Sequence, residues 1–330
     1  MRHVTVIGAG AWGTALAATA RRAGHDVKLY ARESEVVEAI NTTSENAVFL
    51  PGVTLPDGIF ATSNLEAAVY GADAVLLVVP SQFMRGVAES LNDLMPDEMP
   101  VILASKGIEQ KSLKLMNEVV EEAMPNHPLA ALAGPSFAAE VARGQPAALT
   151  LACADEGLGA HLMENLASPM FRVYLSNDVV GAEIGGAVKN VLAIACGIIE
   201  GRKFGDNARA ALITRGLAEM MRLGEAKGAE METMVGLGGL GDLVLTCNAM
   251  QSRNFSFGFA VGEGQNPQDI LAGRTAVTEG VANAISVTQL AAKMNIEMPI
   301  CETVHDIIHE GQDIDAAMHA LMQRPLKPEF

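Results

Sequence analysis

The first half of the chain alternates. Short apolar runs ending in Gly or Pro are each followed by an amphipathic stretch. HVTVIG (3–8), DVKLYA (26–31), ADAVLLVVP (72–80), PVILASKG (100–107), LAALAGP (129–135) and AALTLAC (147–153) read as strands, with shorter ones at GIFATS (58–63) and FRVYLSN (171–177). Helices are predicted over 11–23, 82–95, 113–124 and 155–167. Strands alternating with helices imply a mostly parallel sheet covered on both faces. The unbroken apolar run in AVLLVV fits a strand buried on both sides. After about Asp178 the strand pattern stops. Residues 179–199, 206–227, 280–294, 302–310 and 313–323 read as helices, with Asp206 or Asn207 as a cap and Gly228 as a terminator. The closing RPLKPEF reads as a loose end.

Within the first strand–helix unit, VIGAGAWG places Gly8, Gly10 and Gly13 in G-x-G-x-x-G spacing. The first glycine permits the tight turn, the second lets a pyrophosphate approach the backbone, and the third lets helix and strand pack closely. The helix N-terminus then meets the phosphates. The expected architecture is α/β: an N-terminal Rossmann-type, doubly wound, mostly parallel sheet over 1–178, which binds a dinucleotide, followed by an all-helical substrate and catalytic domain over 179–330. Arg32, at the tip of the second strand, can pair with a 2′-phosphate and favours NADP.

Composition narrows the classes. The net charge of −16 argues against a nucleic-acid partner, which needs a basic face to displace counterions. Any anionic substrate must therefore be drawn by a few local cations. Cys153, Cys196, Cys247 and Cys301 are scattered without metal-binding spacing and read as reduced thiols of a cytoplasmic protein; no metal is expected. The first strand begins almost at the start of the chain, so no signal peptide is expected. The longest apolar stretch, 181–200, is interrupted by Lys189, Asn190 and several glycines and does not read as a membrane span. Oligomeric state stays open, a homodimer included.

In open parallel sheets ligands bind beyond the carboxyl ends of the strands. Lys106 follows one such end, Gly134 and Ser136 follow another, and Ser136 is expected to open a helix. In the helical part, Lys189 stands alone in an apolar, small-residue helix. GLGGLGDLVLTCNAMQSRNF (236–255) brings Asp242 to a helix start, Thr246 to the same face, and Ser252, Arg253 and Asn254 side by side as a phosphate clamp.

Together, GAGAWGTALA, ASKGIE, LAGPSFAAEVARGQPAA, EIGGAVKNVLAIACGI, NARAALITRGLAEM, GLGGLGDLVLTC and SRNFSFG resemble the bacterial NAD(P)-dependent glycerol-3-phosphate dehydrogenases over residues 8 to about 258. The resemblance implies reduction of dihydroxyacetone phosphate to sn-glycerol 3-phosphate, or the reverse, for phospholipid synthesis, with NADP(H) and/or NAD(H). It assigns Lys189 as proton acceptor in oxidation, and Lys106 to both coenzyme and substrate. Gly134, Ser136, Asp242, Ser252, Arg253 and Asn254 match substrate contacts, with Arg253 also near the coenzyme. Ala11, Trp12, Arg32, Ala138, Val277 and Glu279 match coenzyme positions. Ala11 stands where many relatives carry serine, and Glu33 where relatives often carry a base, which weakens the NADP preference. Asn190 and Asp242 are expected to orient Lys189, with Thr246 in support. Rival readings are a 2-hydroxyacid, ketopantoate or nucleotide-sugar dehydrogenase, the last using Cys247 as nucleophile, or a protein that senses NAD(P)H without turnover.

Overall fold

The computed structural model describes residues 1–325, so all but the first two positions of the RPLKPEF tail lie outside the described residues. Eight strands form one sheet: β1 His3–Ile7, β2 Asp26–Tyr30, β3 Ile59–Thr62, β4 Ala74–Leu77, β5 Val101–Leu103, β6 Leu129–Ala133, β7 Ala147–Ala152 and β8 Phe171–Ser176. Their order is β3-β2-β1-β4-β5-β6-β7-β8. Every neighbouring pair is parallel except β6 and β7. The order reverses between β1 and β4, which opens a crevice at their carboxyl ends. All four residues of β4 are buried, as a central strand covered by helices on both faces requires.

Beyond β8 the described residues are helical. The central helix Val179–Gly201 starts on Asp178, whose carboxylate accepts from the Gly181 amide at 2.7 Å and from the Glu230 amide at 2.8 Å. It is long and apolar enough to cross a membrane, yet its apolar window is wholly buried inside the protein, which makes it a core helix. Packed around it are Asp206–Lys227, Asp242–Cys247, Arg253–Gly262, Glu279–Lys293 and Pro299–His305. Gly228, at φ 88°, ends the first of these as expected. Its cap is Gly205, however, with Asp206 inside the first turn, where a carboxylate favours the helix dipole.

The sequence reading missed several short helices and two of ten residues, Ser34–Thr43 and Arg253–Gly262, the latter here termed the crossing helix. Its glycines explain both the omission and the packing. A Cβ on Gly258 would lie 2.0 Å from the Ile194 carbonyl oxygen, and one on Gly262 2.5 Å from that of Ile198. In return, a Cβ on Gly197 of the central helix would lie 2.1 Å from the Phe255 oxygen, and one on Gly201 2.3 Å from that of Phe259. Two glycine pairs spaced four apart thus let the backbones of two helices touch.

Candidate active site

The fingerprint turn is built as its spacing predicts. Gly8 has φ 110°, a region that favours glycine, and a Cβ there would strike the Val78 carbonyl oxygen at 2.5 Å. A Cβ on Gly13 would strike the Gly8 oxygen at 1.8 Å, whereas one on Gly10 would meet nothing within 4 Å. The turn is therefore closed behind and open in front of Gly10, where the helix Ala11–Arg22 begins. In that helix's first turn, the Trp12 indole N–H is buried without an acceptor among the described residues. An open glycine face, a helix N-terminus and an orphaned donor fit the pyrophosphate of a dinucleotide. Ala11, Trp12 and Ala138 lie half-buried against the same core. Arg32 is exposed at the end of β2 and pairs with Glu33 at 3.1 Å, so a neighbouring carboxylate competes for the guanidinium.

Lys106, just past β5, and Lys189, in the middle of the central helix, converge on one carboxylate. Asp242 accepts from Lys106 Nζ through Oδ2 at 2.6 Å and from Lys189 Nζ through Oδ1 at 2.7 Å. Lys189 Nζ also donates to Thr246 Oγ1 at 2.8 Å, and Thr246 donates to Asp242 Oδ1 at 3.2 Å. The glycine-rich run explains how Asp242 arrives. Leu237–Gly241 forms a π-helical turn, and a Cβ on Gly185 of the central helix would lie 2.5 Å from the Gly238 oxygen. The turn therefore lies flat on the central helix, four residues before Lys189, and Asp242 opens the next helix beside it.

Lys189 is 6% exposed and Asp242 1%. Burial pulls the Lys189 ammonium down to about 8; Asp242 opposes the shift and Lys106 adds to it. Burial alone would push the Asp242 carboxyl up, but the two lysines outweigh it and hold the carboxyl below its usual value. Near neutral pH the site thus holds an amine close to its own titration point.

Among the described residues, the Asn190 side chain makes no hydrogen bond to that of Lys189. Its Oδ1 accepts from Asn254 Nδ2 at 2.8 Å, and Asn254 Oδ1 accepts from the Gly280 amide at 2.9 Å. One helical step past Lys189 turns Asn190 toward the crossing helix, so orientation of the amine falls to Asp242 and Thr246. Ser252 caps the crossing helix by accepting from the Phe255 amide at 3.2 Å. Ser252 and Asn254 are buried, whereas Arg253 between them is exposed and its guanidinium makes no hydrogen bond among the described residues. The surrounding protein pulls the Arg253 guanidinium below its usual value, and Glu279 opposes this. Ser136 lies just before the helix Ala138–Ala142 rather than at its start, and donates to the Gly134 carbonyl at 3.2 Å. Val277 is exposed on the segment leading to Glu279.

Sequence reasoning passed over Arg274, although it lies in the same short segment as Val277 and Glu279. Its guanidinium donates to the Arg253 carbonyl at 2.6 Å and to Ser256 Oγ at 3.2 Å, and sits over the Phe257 ring. Cys247 is fully buried against Cys196, and burial pushes its thiol well above the ordinary range, which leaves no accessible thiolate for covalent chemistry. Among the described residues no group of three or more His, Cys, Asp or Glu side chains gathers to hold a metal.

Known proteins resemble this chain over nearly its whole length. The family model described as NAD-dependent glycerol-3-phosphate dehydrogenase N-terminus matches residues 3–158, and that of the C-terminus matches 178–319. The glycerol-3-phosphate dehydrogenase [NAD(P)+] of Rhodospirillum rubrum is 55% identical over 99% of this chain and 94% of its own length. That of Caulobacter vibrioides is 56% identical over 99% and 98%. The crystal structure of glycerol-3-phosphate dehydrogenase from Coxiella burnetii superposes with a TM-score of 0.94 at 41% identity, covering 98% of this chain and 99% of that one. With both halves matched and the lysine–aspartate–lysine centre in place at the sheet's edge, the chain belongs to the NAD-dependent glycerol-3-phosphate dehydrogenase family.

Proposed function

We propose that this protein interconverts dihydroxyacetone phosphate and sn-glycerol 3-phosphate, with Lys189 moving the proton. Residues 1–178 hold most of the coenzyme, and 179–330 supply the proton shuttle and most of the substrate site. The observation that carries the reading is the buried Lys189 amine, held by Asp242 and Thr246 beside Lys106 at the carboxyl edge of the sheet.

A bound nicotinamide supplies or accepts the hydride. The residues that would hold the coenzyme are Gly8, Gly10, Ala11, Trp12, Gly13, Arg32, Lys106, Ala138, Arg253, Val277 and Glu279. The chain itself must manage the proton and the charge. In oxidation, neutral Lys189 takes the proton from the C2 hydroxyl. In reduction its ammonium returns one to the C2 oxygen. A free lysine, with a pKa of ~10.4, is almost wholly protonated at neutral pH. Burial brings Lys189 to about 8, so both forms are populated. Lys106 stabilises negative charge on the same oxygen. Arg253, whose guanidinium makes no hydrogen bond among the described residues, grips the phosphate. That binding, remote from C2, holds the reacting carbon in place. The four free, buried cysteines support a reducing compartment such as the cytoplasm.

Oxidation of NADH and of NADPH in the presence of dihydroxyacetone phosphate, each followed by absorbance, is the direct test. Turnover is expected with at least one coenzyme. Lys189→Ala should abolish it while coenzyme binding survives; near-normal turnover in that variant rejects the assignment.

A further inference from the structure

A buried hydroxyl ties the two halves of the crevice together. Ser81 follows β4, whose continuation abuts the fingerprint turn: a Cβ on Gly8 would touch both Val78 and Val79. Ser81 is 1% exposed, and its Oγ donates at 3.0 Å to Oε2 of Glu279, 198 positions further along the chain. The hydroxyl is held from three sides. Gln82 Nε2 donates to Ser81 Oγ at 3.3 Å and to the Ile108 carbonyl at 2.8 Å. A Cβ on Gly107 would lie 2.4 Å from that Oγ, so the glycine makes room for it. A second tie runs in parallel: the Gln110 amide donates to Gln82 Oε1 at 3.0 Å, and Gln110 Nε2 to the Ala282 carbonyl at 3.3 Å. Both ties end on the first turn of the helix Glu279–Lys293.

From this geometry we infer that Ser81 is a positioning residue for the coenzyme site, fixing the Glu279 carboxylate so that it accepts from the hydroxyl or carboxamide donors of a bound nicotinamide dinucleotide. The inference rests on the reading of Glu279 as a coenzyme contact. The charged group facing that carboxylate is Arg253, on the crossing helix. Burial pushes the Glu279 carboxyl up, while Ser81 and Arg253 pull it back. Loss of the Ser81 donor leaves the carboxyl higher, so a larger fraction is protonated at a given pH and cannot accept. Coenzyme affinity then begins to fall at a higher pH as the solution is acidified.

Trp12, the single tryptophan, lies in the fingerprint helix and reports coenzyme binding by its fluorescence. Dissociation constants for NADH and NADPH are measured across pH for the wild type, Ser81→Ala and Glu279→Gln. Ser81→Ala removes one oxygen from a packed site and is checked for an unchanged fold by circular dichroism. It is expected to weaken coenzyme about 3- to 10-fold, on the order of one net hydrogen bond lost from the positioning of Glu279. The acid limb should move to higher pH, while kcat at saturation and KM for dihydroxyacetone phosphate stay near the wild type. Glu279→Gln should weaken coenzyme and flatten the limb. If Glu279→Gln weakens coenzyme but a folded Ser81→Ala keeps the wild-type affinity and limb, the inference about Ser81 is overturned and the reading of Glu279 stands. If Glu279→Gln leaves affinity unchanged, that reading fails and the inference falls with it.

Discussion

Replacing Asp242 by Asn keeps the shape of the side chain and removes the one charge that Lys106 and Lys189 share. At 2.7 Å the attraction between Lys189 and Asp242 is about 6 kcal/mol for an effective dielectric of ~20. Part of that is offset by the desolvation of both groups, and breaking such a buried pair costs about 3–5 kcal/mol in practice. The whole effect on Lys189 acts downward. Burial already brings it to about 8, Asp242 is the main influence holding it up, and Lys106 pushes it further down. Spread over the titration, the lost pairing moves the amine's midpoint by about two pH units or more. At neutral pH the variant therefore holds a neutral amine and lacks the proton that reduction requires. The assay is kcat for dihydroxyacetone phosphate reduction across pH. The wild type should lose activity as pH rises through about 8. In Asp242→Asn that descending limb should appear about two pH units lower, with kcat at neutral pH down by about 10-fold. A variant whose limb stays at the wild-type pH would refute the claim that Asp242 sets the protonation of Lys189.

Two further outcomes follow from the geometry. Arg274→Gln removes the guanidinium that holds the Arg253 carbonyl and should raise KM for the phosphorylated substrate several-fold, by about 1 kcal/mol of lost positioning; steady-state kinetics with both substrates varied checks it. Glu183, 5% exposed on the central helix, accepts from the Asn117 amide at 3.0 Å, and burial pushes its carboxyl up to about 8. Since the folded state holds this proton more tightly than the unfolded chain, its contribution to stability is full below the ordinary carboxylate range and is lost as pH rises to about 8. Glu183→Gln cannot ionise, so the fall in melting temperature between pH 5 and pH 8, roughly the span of that titration, should be smaller than in the wild type.

All eight strands were legible in the sequence, the buried ones such as β4 as continuous apolar runs and the half-exposed ones such as β2 and β8 as short runs alternating apolar with polar residues. The antiparallel pairing of β7 with β6 was not, since residue pattern carries no strand direction. Lys189 stood out because a lone charge interrupts an apolar helix, and Asp242 and Thr246 because they share a helix face. The fate of Asn190 could not be read: its partner Asn254 is 64 positions away and meets it only where the two helices cross. The hydroxyl of Ser81 was hidden for the same reason. The crossing helix itself was misjudged because its glycines, weak helix formers in isolation, are selected by an approach that only the folded chain reveals.

Those paired glycines bear on what the enzyme can accept. With main chain resting on main chain, the gap between the shuttle on one helix and the grip beginning the other has no soft filler that could be traded for a thinner or thicker side chain. The span from reacting carbon to phosphorus is thus gauged by peptide atoms. Homologous phosphates one carbon shorter or longer should be turned away by length, however well their ends match.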